Sequence, residues 1–315
     1  MTVLWSRPAL LGDPATAHLV VEASAGTGKT WFVTRRVIDL LLQTDATIDQ
    51  IVVVTYTEKA TAELRLRLRA LLTQMAHGEP EPPPPGATGD QIWTIDDDRR
   101  GRLLAAIEAF DTAPISTIHG FCQRVLTDES FAARRSFDQV QVPDDGALRG
   151  AFIAALRERF AYEEGERALL EQYLVDGGSV ERLFAAVLAV YRSGAELAPA
   201  GDGPGPRLVE RMLDEVVRRA DGDKRRGGQI DFQDMLKLTA AALTGAGGDD
   251  LARRLATRYP WALIDEFQDT DPLQWQIIER VWSRPPARGL TVVGDPKQAI
   301  YSFRGGDVRS ATLIP

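Results

Sequence analysis

Residues Leu19 to Thr30 read Leu-Val-Val-Glu-Ala-Ser-Ala-Gly-Thr-Gly-Lys-Thr. An apolar run that passes into a glycine-bearing turn and then into a helix is the plan of a phosphate-binding loop. Backbone N–H groups over Ala23, Ser24, Ala25, Gly26, Thr27 and Gly28 can surround a phosphate, and Lys29 can reach its outer oxygens. The Thr30 hydroxyl can ligate Mg²⁺ at a helix N-terminus whose dipole favours anions. Ala23 stands where such loops usually carry their first glycine, so the match is to a relaxed pattern. The bland alternative is an ordinary glycine-rich turn in an α/β protein. The strand before the turn, and the helix after it with Val33, Val37 and Leu41 on one face, favour nucleotide binding.

A second chemical feature lies far along the chain. Trp261-Ala262-Leu263-Ile264-Asp265-Glu266-Phe267 is an apolar strand that ends in two acids. Where a phosphate loop is present, such a strand end supplies the acid that holds Mg²⁺ and a neighbour that orients the attacking water. Asp265 takes the first role and Glu266 the second. Alone, an Asp-Glu pair at a strand end is more often a solvated cap or half of a salt bridge; the phosphate loop reverses that preference.

Those residues need a scaffold, and the intervening sequence supplies one. Ile51-Val52-Val53-Val54-Thr55 is a β-branched run typical of a buried parallel strand. Strong helix formers follow from Thr57, a plausible N-cap, to Leu72, with Leu64, Leu68 and Leu71 toward the core and Arg65 and Arg69 on another side. Gly78 to Asp90 is rich in proline and reads as a surface linker. A short helix over Arg102 to Phe110 precedes a third strand, whose C-terminal end carries Thr117 and His119. Strands then disappear between Leu126 and Gln229, where three stretches show helical apolar spacing: Leu148 to Phe160, Val180 to Tyr191 and Leu208 to Val217. A helix from Pro272 to Trp282 and a buried strand from Gly289 to Asp295 complete an α/β plan.

Composition bounds the rest. With 315 residues, 44% of them hydrophobic, the chain can bury a sizeable core. Its net charge of −8 excludes a uniformly basic nucleic-acid binder, although a local arginine-lined groove remains compatible. The single cysteine, Cys122, excludes an internal disulfide and reads as a buried structural thiol. With no leader-like N-terminus and no long apolar run, the expected location is the cytoplasm.

Six segments carry a resemblance: Ala23 to Thr30, Val54 to Ala60, Ser116 to Phe121, Asp231 to Met235, Leu263 to Thr270, and Gly294 to Gly305. In residue type and order they are similar to the motifs of superfamily 1 DNA helicases of the UvrD/Rep type, and Glu22 to Thr30 with Pro296-Lys297 are nearest to the RecB type. The resemblance implies a RecA-like P-loop parallel sheet flanked by helices, with an inserted all-helical subdomain. It divides the chain into motor-domain residues 1–125, a helical insertion over 126–229, and further motor-domain residues 230–315. ATP and Mg²⁺ are the implied cofactors. Gln298 would sense the γ-phosphate, and Tyr301 and Phe303 would stack on bases of single-stranded DNA. Arg304 would meet phosphate or the acidic motif, while Thr55, Tyr56, Thr117 and His119 would line the same track.

The implied activity is ATP-driven 3′ to 5′ translocation on single-stranded DNA in double-strand break repair. Single-stranded DNA, duplex ends and the subunits of a RecBCD-like complex are the implied partners. Two features depart from the pattern. Leu10 to Ala17 offers no glutamine to read adenine, and the expectation after the glutamine-bearing segment is a chain without the second motor domain or a nuclease domain. The expectation is therefore that the isolated chain binds nucleotide, turns it over slowly and does not unwind DNA. The competing readings are a nucleotide-gated single-strand-binding module without turnover, and a small-molecule P-loop kinase.

Overall fold

The computed structural model describes residues 2–14, 16–24, 28–78, 91–128, 140–193 and 203–295. Its centre is a five-stranded parallel sheet of β2 (His18–Glu22), β3 (Ile51–Thr55), β5 (Ile115–Thr117), β8 (Trp261–Ile264) and β9 (Gly289–Gly294), in the order β2-β9-β8-β3-β5. This is the helix-flanked parallel sheet that the sequence implied. Side chains alternate across it, as a period of two requires. Ile51, Val53, Leu263 and Val293 enter one apolar core, and Val52, Val54, Ala262, Ile264 and Val292 enter the other.

The first core is closed by α1 (Lys29–Gln43), α2 (Glu58–His77) and α3 (Asp97–Glu108). The second is closed by α4 (Ile118–Asp128), α9 (Phe232–Thr244), α10 (Gly248–Arg258) and α11 (Pro272–Trp282). Helices on both faces explain why the central strands are continuously apolar. Because all five strands run the same way, every C-terminal strand end opens on one edge, where ligands of such sheets bind.

Residues between these two parts form α5 (Asp144–Tyr162), α6 (Glu164–Val175), α7 (Val180–Ser193) and α8 (Pro204–Arg226) around a third apolar core that includes Phe152, Phe184, Val187 and Met212. A short parallel pair, β6 (Val140–Gln141) with β7 (Gln229–Ile230), ties the root of this block together. A buried ionic cluster adds to the tie. Lys224 Nζ on α8 lies 2.7 Å from Asp231 Oδ2 and 2.8 Å from Asp234 Oδ2, and donates to Tyr191 Oη on α7 at 2.9 Å.

Several local expectations are corrected by the structure. The helix expected from Arg102 begins at Asp97, because the Asp96 side chain accepts from the Arg99 N–H and caps it. The third strand stops at Thr117, whose hydroxyl accepts from the Gly120 N–H, so His119 sits in the first turn of α4. On α2, Leu64 and Leu68 enter the first core and Leu71 packs against it as expected, while Leu72, not named from the sequence, is fully buried beside them. On the other side of α2, Arg65 donates to the carbonyls of Ala113 and Phe110 and lies over the Phe110 ring.

The stretch read as free of strands contains β6 and a fourth helix, α6, whose Leu169, Leu170 and Tyr173 face the third core. An antiparallel pair, β1 (Val3–Ser6) with β4 (Ile92–Ile95), was not signalled by any long apolar run. It sets Trp5 opposite Trp93 and packs both against the first core. Of the linker, only Gly78 falls within the described residues. Among the described residues no helix is long and apolar enough to cross a membrane.

Candidate nucleotide site at the strand ends

The edge strand β2 ends in an extended step at Ala23, whose N–H donates to the Gly294 carbonyl of β9 at 2.9 Å. Gly28 then precedes α1 with φ 97° and ψ 31°, a left-handed conformation open to glycine and strained for other residues. That turn delivers Lys29 as the first helical residue and Thr30 as the second. Ala25, Gly26 and Thr27 lie outside the described residues, so the cradle itself is described only at Ala23, Ser24 and Gly28.

The acidic pair comes from β8. The Asp265 N–H donates to the Val54 carbonyl, extending the strand pairing by one step, and the chain then breaks at Glu266 with φ 55° and ψ 43°. A left-handed glutamate costs about 1–3 kcal/mol unless its surroundings hold it, and such residues cluster at functional sites. Here the surroundings are visible. Glu266 Oε2 accepts from Lys29 Nζ at 2.5 Å and from Gln268 Nε2 at 2.5 Å. Residues 237 positions apart thus meet side by side.

Lys29 is nearly covered, with its side chain 9% exposed, whereas Glu266 remains 32% exposed. The pair is therefore neither a sealed structural bridge nor a freely solvated one. Asp265 is more deeply placed. Burial, reinforced by the charge of Glu266, pushes its carboxyl up to about 6, against the pull of the Glu266 N–H and Lys29. Two acids facing one lysine leave an excess of negative charge that a cation would relieve. The donors Thr30 and Asp265 fit Mg²⁺, which takes hard oxygen ligands from one or two side chains and keeps several waters.

Gln268 is the residue that sequence reasoning passed over, although it stood within a quoted segment. Its Oε1 accepts from the Asp295 N–H at 2.9 Å while its Nε2 holds Glu266. The signal was hidden because it depends on β8 and β9 being neighbours, which sequence spacing does not reveal.

On the same edge, Thr55 and Thr117 are paired in register on β3 and β5. Both hydroxyls are buried and already engaged. Thr55 Oγ1 shares a hydrogen bond with Thr61 Oγ1 at 2.5 Å, and Thr117 Oγ1 donates to Glu58 Oε1 at 2.9 Å. They shape the edge rather than present polar groups on it. Tyr56 is exposed beside them. His119 meets Phe232 edge to face at 5.1 Å, and burial lowers its pKa despite the opposing charge of Glu58. Gln298, Tyr301, Phe303 and Arg304 lie outside the described residues. Cys122 is fully buried, and burial pushes its thiol up to about 12, which suits a structural role.

A doubly covered parallel sheet, with a Gly-Lys-Thr turn after one strand and an acidic pair after another, defines a RecA-like α/β domain. Residues 11–313 match the UvrD/REP helicase N-terminal domain, and the chain belongs to that family. Among its relatives, the RecBCD enzyme subunit RecB of Mycobacterium tuberculosis (strain ATCC 25618 / H37Rv) is 34% identical over 303 residues, covering 92% of this chain and 26% of that protein. RecB of Escherichia coli (strain K12) is 27% identical over 414 residues, 94% of this chain and 35% of that protein. The ATP-dependent DNA helicase UvrD1 of Mycobacterium tuberculosis (strain ATCC 25618 / H37Rv) is 26% identical, covering 93% of this chain and 33% of that protein. The chain thus spans about a quarter to a third of the length of these relatives.

Proposed function

We propose that this chain is the first motor domain of a RecB-like ATP-dependent DNA helicase, with residues 126–229 forming a helical insertion between motor-domain residues 1–125 and 230–315. The contact of Lys29 with Glu266 carries the reading, because it joins the turn after β2 to the acidic end of β8 at the open edge of the sheet. In this reading the nucleotide phosphates displace Glu266 from Lys29. Lys29 then neutralises their outer oxygens, and Glu266 polarises the water that attacks the γ-phosphorus and takes up its proton. Thr30 and Asp265 would hold Mg²⁺, which offsets charge on the bridging oxygens when bound.

In the same reading single-stranded DNA crosses the C-terminal edge near Tyr56 and His119 and stacks on Tyr301 and Phe303, while Gln298 and Arg304 link that track to the γ-phosphate. Translocation runs 3′ to 5′ by family resemblance and serves double-strand break processing, with subunits of a RecBCD-like complex as partners. The 34% identity to the Mycobacterium tuberculosis RecB, against 26% to UvrD1 of the same organism, supports the RecB-like assignment.

Fluorescence anisotropy of a labelled oligo-dT strand, with and without a non-hydrolysable ATP analogue and Mg²⁺ at two salt concentrations, tests the DNA half. Salt-sensitive binding that depends on Tyr301 and Phe303 is expected. Unchanged affinity in a Tyr301→Ala, Phe303→Ala double variant would contradict it.

A further inference from the structure

Glu266 holds a high-energy backbone conformation, yet its side chain is only partly buried and its partner Lys29 is the group that the proposed phosphates would claim. Something else must then hold the carboxylate. Both donors to Glu266 converge on Oε2, and among the described residues no hydrogen bond reaches Oε1. Loss of Lys29 to a phosphate leaves Gln268 as the remaining side-chain partner.

Gln268 is itself fixed from the next strand. Its Oε1 accepts from the backbone N–H of Asp295, which is 4% exposed, at the end of β9. A close approach makes this possible. A Cβ at Gly294 would come within 2.7 Å of Gln268 Oε1 and 3.3 Å of the Gln268 backbone nitrogen, so glycine at the end of β9 leaves the space that the amide fills. The amide is polarised in one sense, accepting from main chain and donating to carboxylate. Only a group with an acceptor and a donor on one terminus satisfies both neighbours.

We infer that Gln268 is a positioning residue for ATP hydrolysis, holding the Glu266 carboxylate so that Oε1 faces the attacking water, with its own place set by the end of β9. The inference rests on the hydrolytic reading proposed above. It also gives the β9 strand end a direct route to the acidic pair. A shift of Asp295 relative to β8 moves the amide, and the amide moves the carboxylate.

Gln268→Glu separates this role from a structural one. The new carboxylate still accepts from the Asp295 N–H, so a mere brace survives, but it cannot donate to Glu266 at neutral pH and repels it instead. In the natural full-length protein, the expected result is a fall in the kcat for ATP hydrolysis of about 10- to 100-fold, the range seen when a partner orienting a functional ligand is lost. The KM for ATP and the affinity for a fluorescent ADP analogue should stay within about twofold of the parent, a split that places the loss in the transition state.

Gly294→Ala, which displaces the amide sterically, and Gln268→Met, which removes both bonds, should lower kcat in the same way. A crystal structure of the Gln268→Glu chain should show Glu266 turned off Lys29 while the contact to Asp295 persists. Parental kcat in Gln268→Glu and Gln268→Met overturns the inference while leaving the hydrolytic reading intact. An inactive parent protein overturns that reading, and the inference with it.

Discussion

Two clusters in this molecule use the same ingredients, one lysine among acids, and use them oppositely. At the root of the helical block, Lys224 and Asp231 are 2% and 3% exposed, and the lysine lies within 3.1 Å of three carboxylates, those of Asp221, Asp231 and Asp234, and donates to the Tyr191 phenol. Burial disfavours its charge, but the bonds to Asp231, Asp234 and Tyr191 outweigh burial and lift its pKa above the ordinary value. Asp231 and Asp234 also cap α9 reciprocally. At the strand ends, Lys29 meets one acid that stays partly exposed, a second acid is held near pKa 6, and the backbone between them is left-handed. A satisfied cluster fastens elements together. An unbalanced one, with a reachable carboxylate and a strained backbone, suits the ligand site proposed for it.

The largest effect is expected at Glu266, the proposed catalytic glutamate. Glu266→Gln should lower ATP hydrolysis about 10²- to 10⁴-fold, the scale of a lost general base, while nucleotide binding persists. Steady-state phosphate release beside a nucleotide titration reads both. At the closed cluster the effect should appear as stability instead. Lys224→Ala leaves the buried Asp231 and the half-buried Asp234 without their cation and should cost about 3–5 kcal/mol in urea unfolding. A loss below about 1 kcal/mol would mean that water reaches the cluster.

Asp265→Asn should move stability the other way. The folded state raises this carboxyl above its unfolded value, so it favours the protonated form, and its stabilising contribution is complete below about pH 4 and lost as pH rises through about 6. At pH 7.5 a neutral amide removes that penalty, and we expect a gain of about 0.5–2 kcal/mol together with lost hydrolysis. Thermal unfolding of both chains at pH 5 and 7.5 checks it, because the advantage should shrink at the lower pH. The smallest effect belongs to exposed pairs. Arg253 and Asp250, 64% and 65% exposed, should contribute no more than about 1 kcal/mol, so Arg253→Ala should leave urea unfolding almost unchanged.

The scaffold was legible in the sequence where local rules suffice. The run Ile51 to Thr55 is β-branched because both faces are covered, and it became β3 with the expected bounds. Pro272 to Trp282 became α11, started by a capping Asp271 and a proline at its first turn. What stayed hidden depends on neighbours that are distant in sequence. Trp5 and Trp93 pair across strands of four residues each, too short to announce themselves. Thr55 and Thr117 read as polar residues at an open edge, but nearby Thr61 and Glu58 take their hydroxyls. Lys29 and Glu266 were assigned from residue type and order. Their contact, and the place of Gln268 between two strand ends, needed the sheet order.

In the proposed reading the Lys29–Glu266 contact marks a nucleotide-phosphate site and not a structural bridge. Isothermal titration of a non-hydrolysable ATP analogue with Mg²⁺ into the parent chain and into Lys29→Ala tests it most directly, with thermal unfolding recorded alongside. We predict saturable binding by the parent, at least about tenfold weaker binding by Lys29→Ala, equivalent to about 1.4 kcal/mol, and little change in unfolding temperature. Equal affinity in the two chains, with a marked loss of stability in Lys29→Ala, would contradict it and make the pair a fastening like the one at Lys224.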